Sequence, residues 1–227
     1  MHYFQSLKES FERNADPVYA RGAKAYMRGL SEFYGLGSPL RRELYRDFIR
    51  QSGYLEPSQL ENLVSYCWEQ PQREWQYVGL EMTEHFARKG NPDLLKLAEF
   101  MITHKSWWDT VDFVAPNIAG AILKKNPSLI RMQIEDWMSS GNLWLLRSGL
   151  LFQLRYKFET DEALLFELCE RLSGHKDFFI RKAIGWSLRE HSKRNPLAVT
   201  QFVGSHNLSP LSQREALKII NKTRERV

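Results

Sequence analysis

Trp108 and Asp112 stand four residues apart in the stretch Ser106-Trp107-Trp108-Asp109-Thr110-Val111-Asp112. On a helix that spacing puts both side chains on one face. A carboxylate beside an indole suits the stabilisation of positive charge, one group by its formal charge and the other by its negative π-face. The rest of the stretch reads as structural. Ser106 and Asp109 have the spacing of an N-cap and its N3 partner, a capping box with Asp in place of Glu. Trp107, Val111, Val114, Ile118 and Ile122 recur at helical spacing and predict a core stripe. Pro116 cannot donate to the carbonyl of Asp112, so a helix irregularity is expected beside the carboxylate, either as part of a site or as an ordinary packing kink.

A second constellation lies between Phe178 and Lys193. At about 100° per residue, Lys182, Trp186, Arg189 and Lys193 fall within about 60° of one another, opposite Ile180, Ile184 and Leu188. A tryptophan bracketed by three cations fits an aromatic platform on a phosphate-binding surface. It also fits a rim tryptophan shielding the stems of Lys and Arg. Arg147 is the third candidate, a lone cation in the apolar run Trp144–Leu151. If buried it needs a carboxylate or a phosphate, and both an ion pair with Asp112 and a phosphate contact satisfy that need.

Other chemistries lack their signatures. The six histidines form no HExxH pair, and no P-loop, GxSxG or GxGxxG fingerprint is present. Catalysis, if any, is therefore expected without metal or cofactor. Cys67 and Cys169 belong to no CxxC pair, which fits a reducing compartment rather than a disulfide framework. The most apolar stretch, Phe113–Leu123, is too short to span a bilayer, and the early charges Lys8, Glu9, Glu12 and Arg13 do not suit a signal peptide. These features together predict a cytoplasmic protein with no membrane partner.

The elements that position these residues are helices. Short Gly, Pro, Asn and Ser breaks separate segments of helical length, and alternating β-branched runs are missing. Large apolar anchors at Trp75, Trp108, Trp144, Phe178 and Leu211 are spaced by 33, 36, 34 and 33 positions, each near an expected helix start. The last three open Trp144-Leu-Leu-Arg147, Phe178-Phe-Ile-Arg181 and Leu211-Ser-Gln-Arg214, each followed two positions on by Gly149, Ala183 or Ala216. That period predicts an all-α, HEAT-like helical-repeat solenoid, with residues 1–227 forming a single domain. The net charge is +5, concentrated toward the two ends. Residues 171–227 hold 12 Lys/Arg against 4 Asp/Glu, and residues 21–50 hold 7 against 3. Such a distribution suits a concave, basic groove for a polyanion, and equally a solvated surface.

Several of these stretches resemble the AlkD family of DNA alkylation repair glycosylases, built from HEAT-like repeats. The resemblance rests on His104–Asp112, Asn142–Arg147, Leu151–Lys157, Asp177–Glu190 and Ser209–Ala216, in that order, with Ala25-Tyr26-Met27 near the start. It implies a DNA-binding groove and hydrolysis of the N-glycosidic bond of N3- or N7-alkylated purines in duplex DNA, by a monomer and without base flipping. It implies Asp112 as the catalytic carboxylate and Trp108 and Trp186 as the tryptophans flanking the deoxyribose. Arg147 and Tyr26 are implied as DNA contacts. Lys182, Arg189 and Lys193 are added from the basic face, and Arg41 and Arg42 from the turn Gly35–Arg42. That turn departs from the family at Gly37-Ser38 and Leu40. No lysine sits in a Schiff-base motif, so strand cleavage is not expected. The alternative is a non-catalytic DNA-binding protein of the same fold.

Overall fold

The computed structural model describes residues 2–224. Among them, the only β-type pairing is an isolated bridge between Glu32 and Gln72, and no helix is long and apolar enough to cross a membrane. The chain divides into two compact units, Met1–Phe86 and Ala87–Val227.

The first unit contains α1 (Gln5–Arg13), α2 (Pro17–Tyr26), α3 (Ser38–Ser52), α4 (Leu60–Glu69) and most of α5 (Arg73–Ala87). Its core is aromatic: Phe4, Phe11 and Trp75 are fully buried, with ring centroids 5.3 Å and 5.4 Å apart along Phe4–Trp75–Phe11. Glu74 organises the entry to α3. Its carboxylate accepts the backbone N–H groups of Tyr34, Gly35 and Leu36 at 3.1, 3.0 and 3.2 Å. Gly35 takes φ +90° where a Cβ would collide with the Asp16 carbonyl, so this turn requires glycine. Asp16 caps α2 through Val18 and Tyr19 N–H.

The second unit contains α6 (Leu94–Thr103), α7 (Trp108–Val114), α8 (Gly120–Lys125), α9 (Ile130–Ser139), α10 (Leu143–Leu151), α11 (Glu162–Arg171), α12 (Phe178–Ser192), α13 (Pro196–Ser205) and α14 (Pro210–Arg224). Two layers run through it, and hydrogen bonds one repeat apart tie each layer together. In the first layer, Glu99 on α6 accepts from Gln133 and Trp137 on α9, 34 and 38 positions away. Arg131 and Glu135 on α9 then pair with Glu167 and Arg171 on α11, each 36 positions away. In the second layer α7 packs on α10, α10 on α12 and α12 on α14. All five repeat anchors fall within the first three residues of α5, α7, α10, α12 or α14. They mark the phase of the repeat more than its core. Trp75 alone is fully buried, whereas Phe178 is 53 % exposed.

The predicted stripe is buried at Val111, Val114, Ile118 and Ile122, all with no exposed surface, while Trp107 is part-exposed. The capping box is not formed. Trp107 occupies the N-cap position in extended conformation with no side-chain cap, and Ser106 Oγ donates backward to the Ile102 carbonyl at 2.6 Å. Ser106 serves the end of α6 instead of the start of α7, because a hydroxyl near a helix terminus can satisfy an orphan carbonyl as readily as an orphan N–H. Asp109 still lies in the first turn, where a carboxylate complements the helix dipole. The irregularity at Pro116 is present: Ala115–Ala119 form a π-helical turn, with Asn117 Nδ2 donating to the Phe113 carbonyl at 2.8 Å.

Candidate functional site

One guanidinium ties α7, α10 and the first turn of α12 together. Arg147, on α10 and 3 % exposed, grips Asp112 on α7 with both prongs of its fork. Nε lies 2.7 Å from Oδ1 and Nη2 lies 2.8 Å from Oδ2. Nη1 donates at 2.5 Å to the carbonyl of Phe179 on α12. Bidentate pairing of this kind is strong and fixes the plane of the carboxylate. Around it stand Trp107, Trp144 and Phe179, with pairwise ring centroids 5.8, 5.3 and 5.1 Å apart, and Arg147 lies 5.8 Å from the Phe179 ring centre. Asn142 positions Trp144 by capping α10 through Trp144 and Leu145 N–H, and Asp177 positions Phe179 by capping α12 through its N–H at 2.6 Å.

Asp112 keeps 16 % of its side chain exposed. Burial pushes its carboxyl above the usual aspartate range, against the hydrogen bonds and charge of Arg147, and the negative Asp109 adds to the upward push. The fork uses one lone-pair site on each oxygen, and a carboxylate has about four. The remaining sites of this oriented, low-dielectric anion can face a developing cation. Trp108 is part-exposed on the same helix.

On α12, Ile180, Ile184 and Leu188 are fully buried and Trp186 is part-exposed, as the periodicity predicted. The cations beside Trp186 already have a partner. Glu215 on α14, 8 % exposed, accepts from Lys182 Nζ at 2.6 Å through one oxygen and from Arg189 through the other. The hydrogen bond from Lys182, ahead of that from Arg189, draws its carboxyl below the ordinary glutamate range. Lys193 pairs with Glu190 at 2.5 Å on the exposed surface. Glu215 was not among the residues singled out from sequence. The repeat offered a signal for it, since Glu215 follows Leu211 by four positions as Asp112 follows Trp108.

Two residues expected to contact DNA have partners within the protein. Arg147 is committed to Asp112 and Phe179, so the ion pair is the alternative realised for it, and as placed it presents no free fork to a phosphate. Arg41, in the first unit, is 5 % exposed, donates to Glu81 at 2.8 Å and lies 5.1 Å from the Tyr77 ring centre. Burial and a carboxylate partner direct its guanidinium into the protein. Its neighbour Arg42 keeps 62 % of its side chain exposed, 3.5 Å from Glu81, and Tyr26 is 71 % exposed.

Comparison with known proteins matches the profile of the DNA alkylation repair enzyme family to residues 7–220. A solved structure described as a predicted DNA alkylation repair enzyme from Enterococcus faecalis is similar at 28 % identity and TM-score 0.84, over 92 % of this chain and 97 % of that one. AlkD2 from Streptococcus mutans is similar at 15 % identity and TM-score 0.60, over 80 % of this chain and 88 % of that one, a likeness of fold that agrees with the HEAT-like repeat. No curated protein shows a significant match. The chain belongs to the DNA alkylation repair enzyme family.

Proposed function

We propose that this protein is a monofunctional DNA glycosylase that hydrolyses the N-glycosidic bond of N3- or N7-alkylated purines in duplex DNA, acting as a cytoplasmic monomer. An alkylated purine already carries positive charge and leaves readily, so the demand falls on the cation that grows on the sugar as the bond breaks. Asp112 stabilises that cation and orients the attacking water, while the faces of Trp108 and Trp186 contribute their π-electrons. Arg147 is a positioning residue that holds the carboxylate ionised and oriented. The observation that carries the reading is the bidentate Arg147–Asp112 pair, set among aromatic rings and leaving Asp112 partly open.

One observation favours a second reading. Both oxygens of Asp112 are engaged by Arg147, as in a purely structural ion pair, and a non-catalytic DNA-binding protein would need no more. Incubation of the purified protein with N-methylated duplex DNA, followed by identification of released bases, separates the two. Glycosylase action releases 7-methylguanine or 3-methyladenine above the spontaneous rate, and Asp112→Asn abolishes the release while DNA binding persists. Full activity in that variant would remove Asp112 from its assigned role.

A further inference from the structure

Toward the C-terminal ends of α10 and α12, a shallow cleft open to solvent is lined by Lys157, Arg194 and His191, among others. Its chemistry is built, starting from the turn that follows α10. Tyr156 anchors that turn by donating from Oη to the Gly120 carbonyl at 2.8 Å. Lys157 then adopts φ +59°, a left-handed backbone that strains a non-glycine residue and tends to persist at functional sites. The turn is locked beyond it by Thr160 Oγ1 donating to the Lys157 carbonyl at 2.9 Å.

This turn leaves Phe158 79 % exposed, with the guanidinium carbon of Arg194 4.4 Å from its ring centre. An exposed phenyl ring holding an arginine pre-orients that cation. His191 lies behind. It is 9 % exposed, and its Nε2 sits 2.5 Å from Glu162 Oε2, which also accepts from Asn195 Nδ2 at 2.8 Å. Its Nδ1 is buried and makes no hydrogen bond among the described residues. A buried polar atom in that condition is destabilising unless solvent or a ligand reaches it. The Nε2 edge of His191 is held by Glu162, so the imidazole lines the cleft in a fixed orientation.

The nearby acids are already committed. Glu190, which also lines the cleft, is paired with Lys193; Glu159 is paired with Lys124; Glu162 serves His191 and Asn195. Lys157 and Arg194 have no carboxylate partner among the described residues. Two such cations match the oxygens of a phosphate at the mouth of the cleft, where the His191 ring reports occupancy. We propose that this cleft is a phosphate-binding site, distinct from the Asp112 corner, that takes a phosphodiester of a DNA backbone or a free phosphate. Fifteen positions separate Phe179, in the first turn of α12, from Arg194 just beyond its end, about 22 Å at the helical rise, so a duplex contacted at both ends would be held across about six base pairs.

The test follows the imidazole resonances of His191 in the full-length protein during titration with inorganic phosphate and, separately, with an undamaged duplex. Saturable movement of those resonances in either arm, weakened at least tenfold by Lys157→Gln combined with Arg194→Gln, supports the site. Movement with the duplex, together with a log–log salt slope for its binding flatter by about 0.9 in the double variant, identifies a backbone phosphodiester. Movement with inorganic phosphate and an unchanged slope identifies a free phosphate. Resonances that stay still in both arms overturn the inference, and the wild-type titration alone decides that outcome. The glycosylase reading supplies only the DNA source. Base release plays no part in the measurement, so either proposal can fail while the other stands.

Discussion

At the scale of single residues, the Arg147–Asp112 pair explains why neither member can be altered quietly. Removing one partner of a buried ion pair strands the other charge in a low dielectric. Arg147→Ala is therefore expected to destabilise the protein by about 3–5 kcal/mol in chemical denaturation. Arg147→Lys keeps the charge without the fork, and it is expected to retain more stability than Ala while slowing excision. The titration of Asp112 has a definite sign. In the proposed role the carboxyl acts when ionised, and burial raises its pKa, so single-turnover excision should fail on the acid side at a pH above the ordinary aspartate range. Arg147 pulls that pKa down, so Arg147→Ala should move the acid limb further up. A wild-type limb at or below the ordinary range would count against an ionised Asp112 as the working group.

At the scale of elements, α14 controls the basic face of α12. Glu215 acts as an internal counter-ion for Lys182 and Arg189. Glu215→Gln should release both cations, tighten binding of undamaged duplex and steepen its log–log salt slope by about 1–2. Glu215→Asp, which keeps the charge, should change the slope far less. An unchanged slope in the Gln variant would show that neither cation faces DNA. Much of α12 was legible in sequence, because its faces follow directly from a 3.6-residue period. Its counter-ion was harder to see, since Glu215 lies 26 positions beyond Arg189 and meets it only when the helices stack. The start of α7 was misread for a related reason. Ser106 has the right type and spacing for a cap, but the carbonyl of Ile102 lies within reach and takes its hydroxyl.

At the scale of the whole molecule, salt dependence separates the two readings of the charge distribution, a polyanion groove and a solvated surface. Duplex affinity should fall steeply with added salt through counterion release, whereas a protein-binding scaffold predicts weak DNA binding that salt hardly changes. Much of the positive charge is internally compensated. Arg41, Arg147, Lys182, Arg189 and Lys193 all have carboxylate partners, so the measured slope should be smaller than the Lys and Arg counts toward the chain ends suggest.

The sequence by itself determined the helical class, the repeat period, the buried stripes of α7 and α12, the distortion at Pro116 and the pairing of Trp108 with Asp112 on one face. All of these are local consequences of side-chain type and helical geometry. Tertiary structure decided which charges meet. Whether Arg147 faced a carboxylate or a phosphate, whether the cations around Trp186 were free, and which group holds His191 depend on groups about 25–35 positions apart. Only the stacking of one repeat on the next brings such groups within hydrogen-bonding distance, and nothing in local propensity encodes it.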